Sequence, residues 1–204
     1  NSQSAADLEG HGRRLQQAPV DWTAKVPPTG DQEDCESCWA WTATSVLAGH
    51  MAIRMGADPV RLSVQQLMMC ADSTGSPQSC YKPAAGLAGQ PAYAWLTRGW
   101  GNNLCKHDDV PYTGTNEPGC AATFASCGSW EPMEETRLPI SSTHRMATYG
   151  GTSPTGPERS SVDSERAMAL ALRDGPLGIA VDMSCAAFQN YRAGVSTGCR
   201  SQNV

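Results

Sequence analysis

The sequence has little charge, few aromatic rings and no long apolar run, and each shortage excludes a class of protein. Only 17% of its 204 residues are charged and the net charge is −5. That balance argues against nucleic acid or an anionic membrane surface as the main partner. No apolar run approaches the roughly 18–20 residues that span a bilayer, and no phosphate-cradling glycine motif is present. With 14 prolines and 20 glycines, the expected class is a loop-rich globular protein.

Cysteine is the residue that the sequence has in excess. Nine cysteines in 204 residues are many for a reducing cytosol, so we expect an oxidising compartment. The odd count leaves at least one thiol free or paired outside the chain. The chain begins at Asn1 rather than Met, and residues 1–18 contain no apolar signal core. We therefore expect residues 1–18 to be a leader or propeptide remnant whose export signal has gone.

The predicted elements are helices first and strands later. Apolar residues from Cys38 to a stop at Gly56 predict a long buried helix, with Ser37 as a candidate cap. Ser63 followed by Gln66 forms a capping-box pattern, which predicts a short second helix ending near residue 70. The later predictions are a third helix after Pro91, irregular disulfide-held structure at 101–135, strand material at 137–150, a helix ending at Gly175, a buried strand at 176–184 and an extended segment at 188–199. This order predicts an α+β protein with a mainly helical lobe at 19–135 and a β-rich lobe at 136–204.

The stretch QEDCESCWAW, residues 32–41, places Cys35 and Cys38 three positions apart. Such a pair occurs as a redox couple, as half of a zinc site, or as a disulfide half-cystine beside a catalytic thiol. Pro27 and Pro28 disfavour the strand that precedes a thioredoxin-like couple. A zinc half-site needs a second Cys or His pair at short spacing, which the sequence lacks. No metal and no cofactor are expected.

This stretch opens a series of motifs. Gln32, Cys35, Cys38-Trp39, LSVQQLMMC, VPYTGTNEPGC, GPLGIAVD and FQNYRAGV…GC follow one another within residues 19–204. The series resembles the papain-like, cathepsin-type cysteine proteases. The resemblance implies a two-lobed α+β fold, with a helical left lobe and a β-barrel right lobe that this chain leaves incomplete.

The resemblance also implies residue roles. Cys38 is the expected nucleophile, because the N–H groups and dipole at a helix start favour the thiolate. Gln32 and the backbone N–H of Cys38 would donate to the developing oxyanion. Trp39 and the pair Ala88-Gly89, the nearest match to the family's Cys-x-Gly-Gly loop, would bind substrate.

Four disulfides are expected. The family resemblance implies the first two pairs given below, and the last two are a hypothesis that accounts for all the remaining cysteines except Cys38. In this arrangement Cys38 is the sole free thiol. The pairs are Cys35–Cys80, Cys70–Cys120, Cys105–Cys127 and Cys185–Cys199.

Two kinds of departure from the family pattern bear on activity. Glu33 and Glu36 stand where the family has glycine, so two acids are expected at the cleft rim. The chain stops at Val204, before the positions expected for the catalytic His and its orienting Asn. None of the four histidines takes that place by resemblance: His11, His50, His107 and His144.

The expected function is therefore a cysteine-type peptidase that is secreted, lysosomal or vacuolar and acts on peptide or protein substrates. Its His and Asn would come from a C-terminal continuation or a second chain that completes the fold, and this chain alone is expected to be inactive. The alternative is a catalytically inactive papain-like module with a structural or binding role in a larger extracellular or organellar assembly.

Overall fold

The computed structural model describes residues 20–71 and 104–127, two shorter stretches at 168–179 and 189–192, and the single residues Cys80, Ala92 and Trp95. Three α-helices and one 3₁₀ turn are described from end to end. In chain order they are the 3₁₀ turn Thr23–Lys25, α1 (Cys38–Met55), α2 (Val64–Cys70) and α3 (Cys120–Ser126).

Helix α1 is the central element. Its buried face includes Ala40, Ala43, Leu47 and Met51, at helical spacing, and it contacts both α2 and the 3₁₀ turn. The helix ends at Met55, and the next residue, Gly56, has a left-handed φ of 62° that suits glycine. The long buried helix with a glycine stop is thus confirmed.

Helix α2 begins with the predicted cap. The Ser63 hydroxyl accepts a hydrogen bond from the Gln66 N–H (3.0 Å) and donates one to the Val110 carbonyl (2.7 Å). All seven residues of the helix are buried. The two buried amides are paired: Gln66 Oε1 accepts from the Cys105 N–H (2.7 Å), and Gln65 Oε1 accepts from the Thr113 N–H (3.1 Å). These bonds attach the irregular segment after residue 104 to α2.

Helix α3 lies in a region that we predicted to be irregular, so that prediction is wrong for Cys120–Ser126. The stretch is rich in alanine, and alanine has the highest helix propensity. Two disulfides, Cys70–Cys120 and Cys105–Cys127, join the two ends of the helix region to buried parts of the chain. Tertiary anchoring thus allows a seven-residue helix that is too short to be stable alone.

The stretch 168–179 contains the end of the predicted helix and the start of the predicted buried strand. Residues 168–171 are helical, and Gly175 follows with a φ of 156°. Residues 176–179 form no strand, and Ile179 is 62% exposed, so the buried strand is wrong there. Pro176 has no N–H to give to a ladder, and its carbonyl accepts from His50 Nε2 at 3.0 Å.

The remaining predictions fall mostly outside the described residues. Ala92 and Trp95 are helical and buried, while the rest of the predicted third helix is not described. Gln189 is helical and Asn190 lies in a turn, so the extended segment is wrong at these two residues, and asparagine is a poor strand former. The predicted leader (1–18), the strand material at 137–150 and the pair Cys185–Cys199 lie outside the described residues.

Candidate active site

Cys38 is the first residue of α1, and its side chain is exposed. Among the described cysteines it is the one free thiol. The first intrahelical bonds are made by the N–H groups of Ala40 and Trp41, which donate to the Ser37 carbonyl at 2.9 and 3.1 Å. The N–H of Cys38 donates to no acceptor within the described part of the chain, as is usual in a first helical turn. An exposed sulfur and an available backbone donor therefore lie on one residue.

The neighbouring Cys35 is joined to Cys80 by a disulfide, with 4.5 Å between the two Cα atoms. The N–H of Glu36 also donates to the Cys80 carbonyl at 3.0 Å. The loop before α1 is therefore anchored covalently and by a backbone bond. The two cysteines of the Cys-x-x-Cys stretch are not equivalent: Cys35 is structural and Cys38 is left as the thiol. This pairing is not that of a redox couple.

The structure contains three of the four pairs in the expected arrangement, and the fourth, Cys185–Cys199, is not described. The three are Cys35–Cys80, Cys70–Cys120 and Cys105–Cys127.

Gln32 is half-buried at the start of the same loop. Its backbone carbonyl accepts two hydrogen bonds, from the Cys35 N–H (3.2 Å) and from the Tyr112 hydroxyl (2.8 Å). The Tyr112 oxygen also lies 2.7 Å from Ser37 Oγ. Ser37 occupies the N-cap position of α1, but its side chain makes no capping bond. The predicted capping role of its side chain is therefore wrong, because its hydroxyl contacts the Tyr112 hydroxyl at 2.7 Å and the Cys35 carbonyl at 3.4 Å instead.

Glu33 has a left-handed backbone with a φ of 53°, the one positive φ among the described non-glycine residues. Its N–H donates to Asp31 Oδ1 at 2.8 Å, and its carboxylate lies against the Cα of Gly114, whose φ is 64°. Glu33 thus adopts a conformation that suits the glycine expected there. Glu36 is exposed and has no positive φ. Both acids lie on the loop that precedes the Cys38 helix.

Tyr112 is held in place by aromatic packing. Its ring meets the Trp41 ring edge-on, with 5.1 Å between centroids. The Arg61 guanidinium lies 5.9 Å from the Trp41 centroid on that ring's face. The sequence pattern placed Tyr112 in a motif without giving it a role, since its hydroxyl contacts lie 75 and 80 residues away along the chain.

Neither described histidine bonds to the Cys38 thiol. His50 lies twelve residues along α1, about 18 Å at 1.5 Å per residue, and its ring bonds to the Pro176 carbonyl. The N–H of His107 donates to the Arg61 carbonyl at 2.9 Å. Partial burial, and next the positive charge of Arg61, hold the pKa of His107 below its usual range, against a smaller opposite effect of Asp108.

Of the other predicted site residues, the structure describes Trp39 but not the rest. Trp39 is 6% exposed and packs in the core, so its substrate-binding role stays a prediction. Ala88, Gly89, His11 and His144 lie outside the described residues.

No helix in the described stretches is both long and apolar enough to cross a bilayer. Those stretches also hold no group of three or more potential metal ligands.

Comparison with known proteins gives a consistent family. The chain matches the family model described as papain family cysteine protease over residues 17–204. Cathepsin K of Gallus gallus is 31% identical over 196 residues, which cover 92% of this chain and 47% of cathepsin K. Cysteine proteinase 2 of Leishmania pifanoi is 33% identical over 185 residues, covering 88% of this chain and 34% of that protein. The chain thus spans between a third and a half of the length of these two curated relatives.

Proposed function

Because the chain belongs to the papain family of cysteine proteases, we propose that it is a cysteine-type peptidase whose nucleophile is Cys38. The family has a two-lobed α+β fold, and the helices around α1 form its helical lobe. The observation that supports the nucleophile is the contrast between two cysteines three residues apart. Cys35 is locked in a disulfide, while Cys38 is exposed and free at a helix start. That placement suits a reactive thiolate.

The proposed reaction is acyl transfer through Cys38. Its thiolate attacks the carbonyl carbon of the scissile peptide, and the carbonyl electrons move to oxygen. The Cys38 N–H and the Gln32 side-chain amide donate to that oxyanion. When the C–N bond breaks, the amine leaves with a proton from the general acid, and a thioester joins the acyl group to Cys38. Water then attacks the thioester, releases the acid and restores the thiol.

The general base is the part of this mechanism that the described residues do not supply. His50 lies twelve residues along α1 from Cys38 and its ring is bonded to the Pro176 carbonyl, and no hydrogen bond joins the His107 ring to Cys38 among the described residues. We propose that the base and its orienting Asn come from a segment outside residues 1–204, either a continuation or a second chain that completes the fold. The reaction would then need both parts together.

An inactive papain-like module is the second candidate function. Glu33 and Glu36 are both exposed on the loop before α1, five and two residues before Cys38. Acidic side chains there would narrow the cleft or repel an acidic substrate. Such a module would serve as a structural or binding part of a larger extracellular or organellar assembly.

The disulfides fit an oxidising compartment. We propose a secreted, lysosomal or vacuolar location, with peptide or protein substrates. Both proposals share this location, so localisation alone does not separate them.

Peptide hydrolysis by the full natural protein tests the first candidate against the second. We expect turnover of a library of fluorogenic peptides by the wild type and none by Cys38→Ala, which keeps the fold because the side chain is exposed. The matched control is Ser45→Ala, a small substitution further along α1. Absence of hydrolysis in a folded wild type, or hydrolysis that survives in Cys38→Ala, would overturn the peptidase proposal.

A further inference from the structure

The Tyr112 hydroxyl joins the two pieces of chain that carry the proposed oxyanion donors. One piece is the turn at Gln32, and the other is Ser37, which immediately precedes Cys38. The Tyr112 oxygen lies 2.8 Å from the Gln32 carbonyl oxygen and 2.7 Å from Ser37 Oγ. A single oxygen atom thus spans the gap between the turn and the helix start.

The directions of these hydrogen bonds follow from the atoms. The Gln32 carbonyl accepts only, so the Tyr112 O–H donates to it. With its proton used, the Tyr112 oxygen accepts from the Ser37 O–H. The result is a chain of donors from Ser37 through Tyr112 to Gln32. Ser37 is fully buried, and the other acceptor near its hydroxyl, the Cys35 carbonyl, lies at 3.4 Å, so the 2.7 Å contact with Tyr112 is the stronger of the two.

Tyr112 is itself fixed from two other directions. The Trp41 ring, one turn into α1, packs against the Tyr112 ring in an edge-type pair. The next residue, Thr113, donates its N–H to the fully buried Gln65 amide of α2 at 3.1 Å. The hydroxyl therefore has a set position relative to both helices. Its hydrogen bonds to Gln32 and Ser37 therefore hold the loop before α1 in place, since that loop has no regular secondary structure of its own.

We propose that Tyr112 is a positioning residue that sets the Gln32 turn relative to Cys38 through its hydroxyl. This inference rests on the proposed peptidase function. An oxyanion is stabilised only when its donors lie at hydrogen-bond distance from the place where charge develops, and small displacements are costly. The Gln32 carbonyl has two partners, and only the Cys35 N–H remains if the Tyr112 hydroxyl is removed.

The test is Tyr112→Phe in the full natural protein, since it removes one oxygen and keeps the ring against Trp41. Thr113→Val is the matched control: it removes a hydroxyl one residue away, whose partners are Thr115 and Glu117 on its own loop. For Tyr112→Phe we expect kcat for peptide hydrolysis to fall about tenfold with KM within about twofold. The rate of Cys38 alkylation by iodoacetamide should stay unchanged, because alkylation develops no oxyanion. Thr113→Val should match the wild type in both.

Two results would overturn the proposal. One is an unchanged kcat in Tyr112→Phe; the other is an equal fall in hydrolysis and alkylation, which indicates a helix start that is merely loosened. Amide hydrogen exchange at Cys35, whose N–H donates to the Gln32 carbonyl, gives a readout that needs no turnover. We expect exchange to be about five- to tenfold faster in Tyr112→Phe than in the wild type. If the wild type hydrolyses no peptide, the proposed function fails separately, and unchanged Cys35 exchange would still refute the positioning of this turn.

Discussion

Replacing Glu33 with glycine should stabilise the protein, although the substitution removes a whole side chain. Glu33 has a φ of 53°, and a left-handed backbone costs a residue with a Cβ about 1–2 kcal/mol. Glycine relieves that strain but loses roughly 0.5–1 kcal/mol, because it gains more freedom in the unfolded chain. The side chain is exposed, so little burial is lost. The free energy of unfolding should rise by about 0.5–1 kcal/mol.

Glu36 provides the matched control for this prediction. It is exposed on the same loop and carries the same charge, but it has no positive φ. Glu36→Gly should therefore lower the free energy of unfolding by about 0.5–1 kcal/mol, the opposite sign. Thermal unfolding under non-reducing conditions should separate the two variants by a few degrees, since about 1 kcal/mol shifts Tm by roughly 2–4 °C at this size. If both substitutions shifted Tm in the same direction, the strain assigned to Glu33 would be wrong.

Two further predictions concern the contacts around α1 and the loop that follows α2. Gly49→Ala should lower the free energy of unfolding by about 1–3 kcal/mol in a denaturant titration, because its Cβ would lie 2.6 Å from Cγ of Pro176; an unchanged midpoint would contradict this packing. His107 has a lowered pKa in the folded protein, mainly through burial, so the unfolded chain takes up its proton first as pH falls through about 6.5. The free energy of unfolding of the wild type should therefore fall from about pH 7.5 to about pH 5.5 more steeply than that of His107→Gln. Equal slopes would contradict the lowered pKa assigned to His107.

The parts of the fold that the sequence predicts well are those with local signals. Gly56 ends α1 and Ser63 with Gln66 begins α2, and each signal involves residues no more than four positions apart. Of the three observed cysteine pairs, Cys35–Cys80 and Cys70–Cys120 followed from the family resemblance, and Cys105–Cys127 followed from completing the count of cysteines. Helix α3 was missed because seven residues give weak periodicity, and its disulfides supply stability that propensity alone does not show.

The candidate site was predictable in its residue types but not in its supports. Cys38 and Gln32 are recognisable from the motif, but the bonds of the Tyr112 hydroxyl cross 75 and 80 residues of sequence. Ser37 occupies the N-cap position of α1, but its hydroxyl bonds to the Tyr112 hydroxyl and not to a helix N–H. Glu33 looked like a loss of glycine, whereas its backbone keeps the left-handed conformation that glycine favours. Tertiary contacts decide each of these, and a linear pattern does not contain them.

The most direct test of the central claim is the labelling of Cys38 by a thiol-directed epoxide in the native full-length protein, read by intact mass and a non-reducing peptide map. We expect one label per chain, on Cys38, with Cys35 still joined to Cys80 and no label on Cys38→Ala. A peptidyl epoxide should react far faster than a small epoxide without a peptide, since a peptidase cleft binds the first. A native protein whose Cys38 is accessible but unlabelled, or is found in a disulfide, would contradict the assignment of Cys38 as the nucleophile.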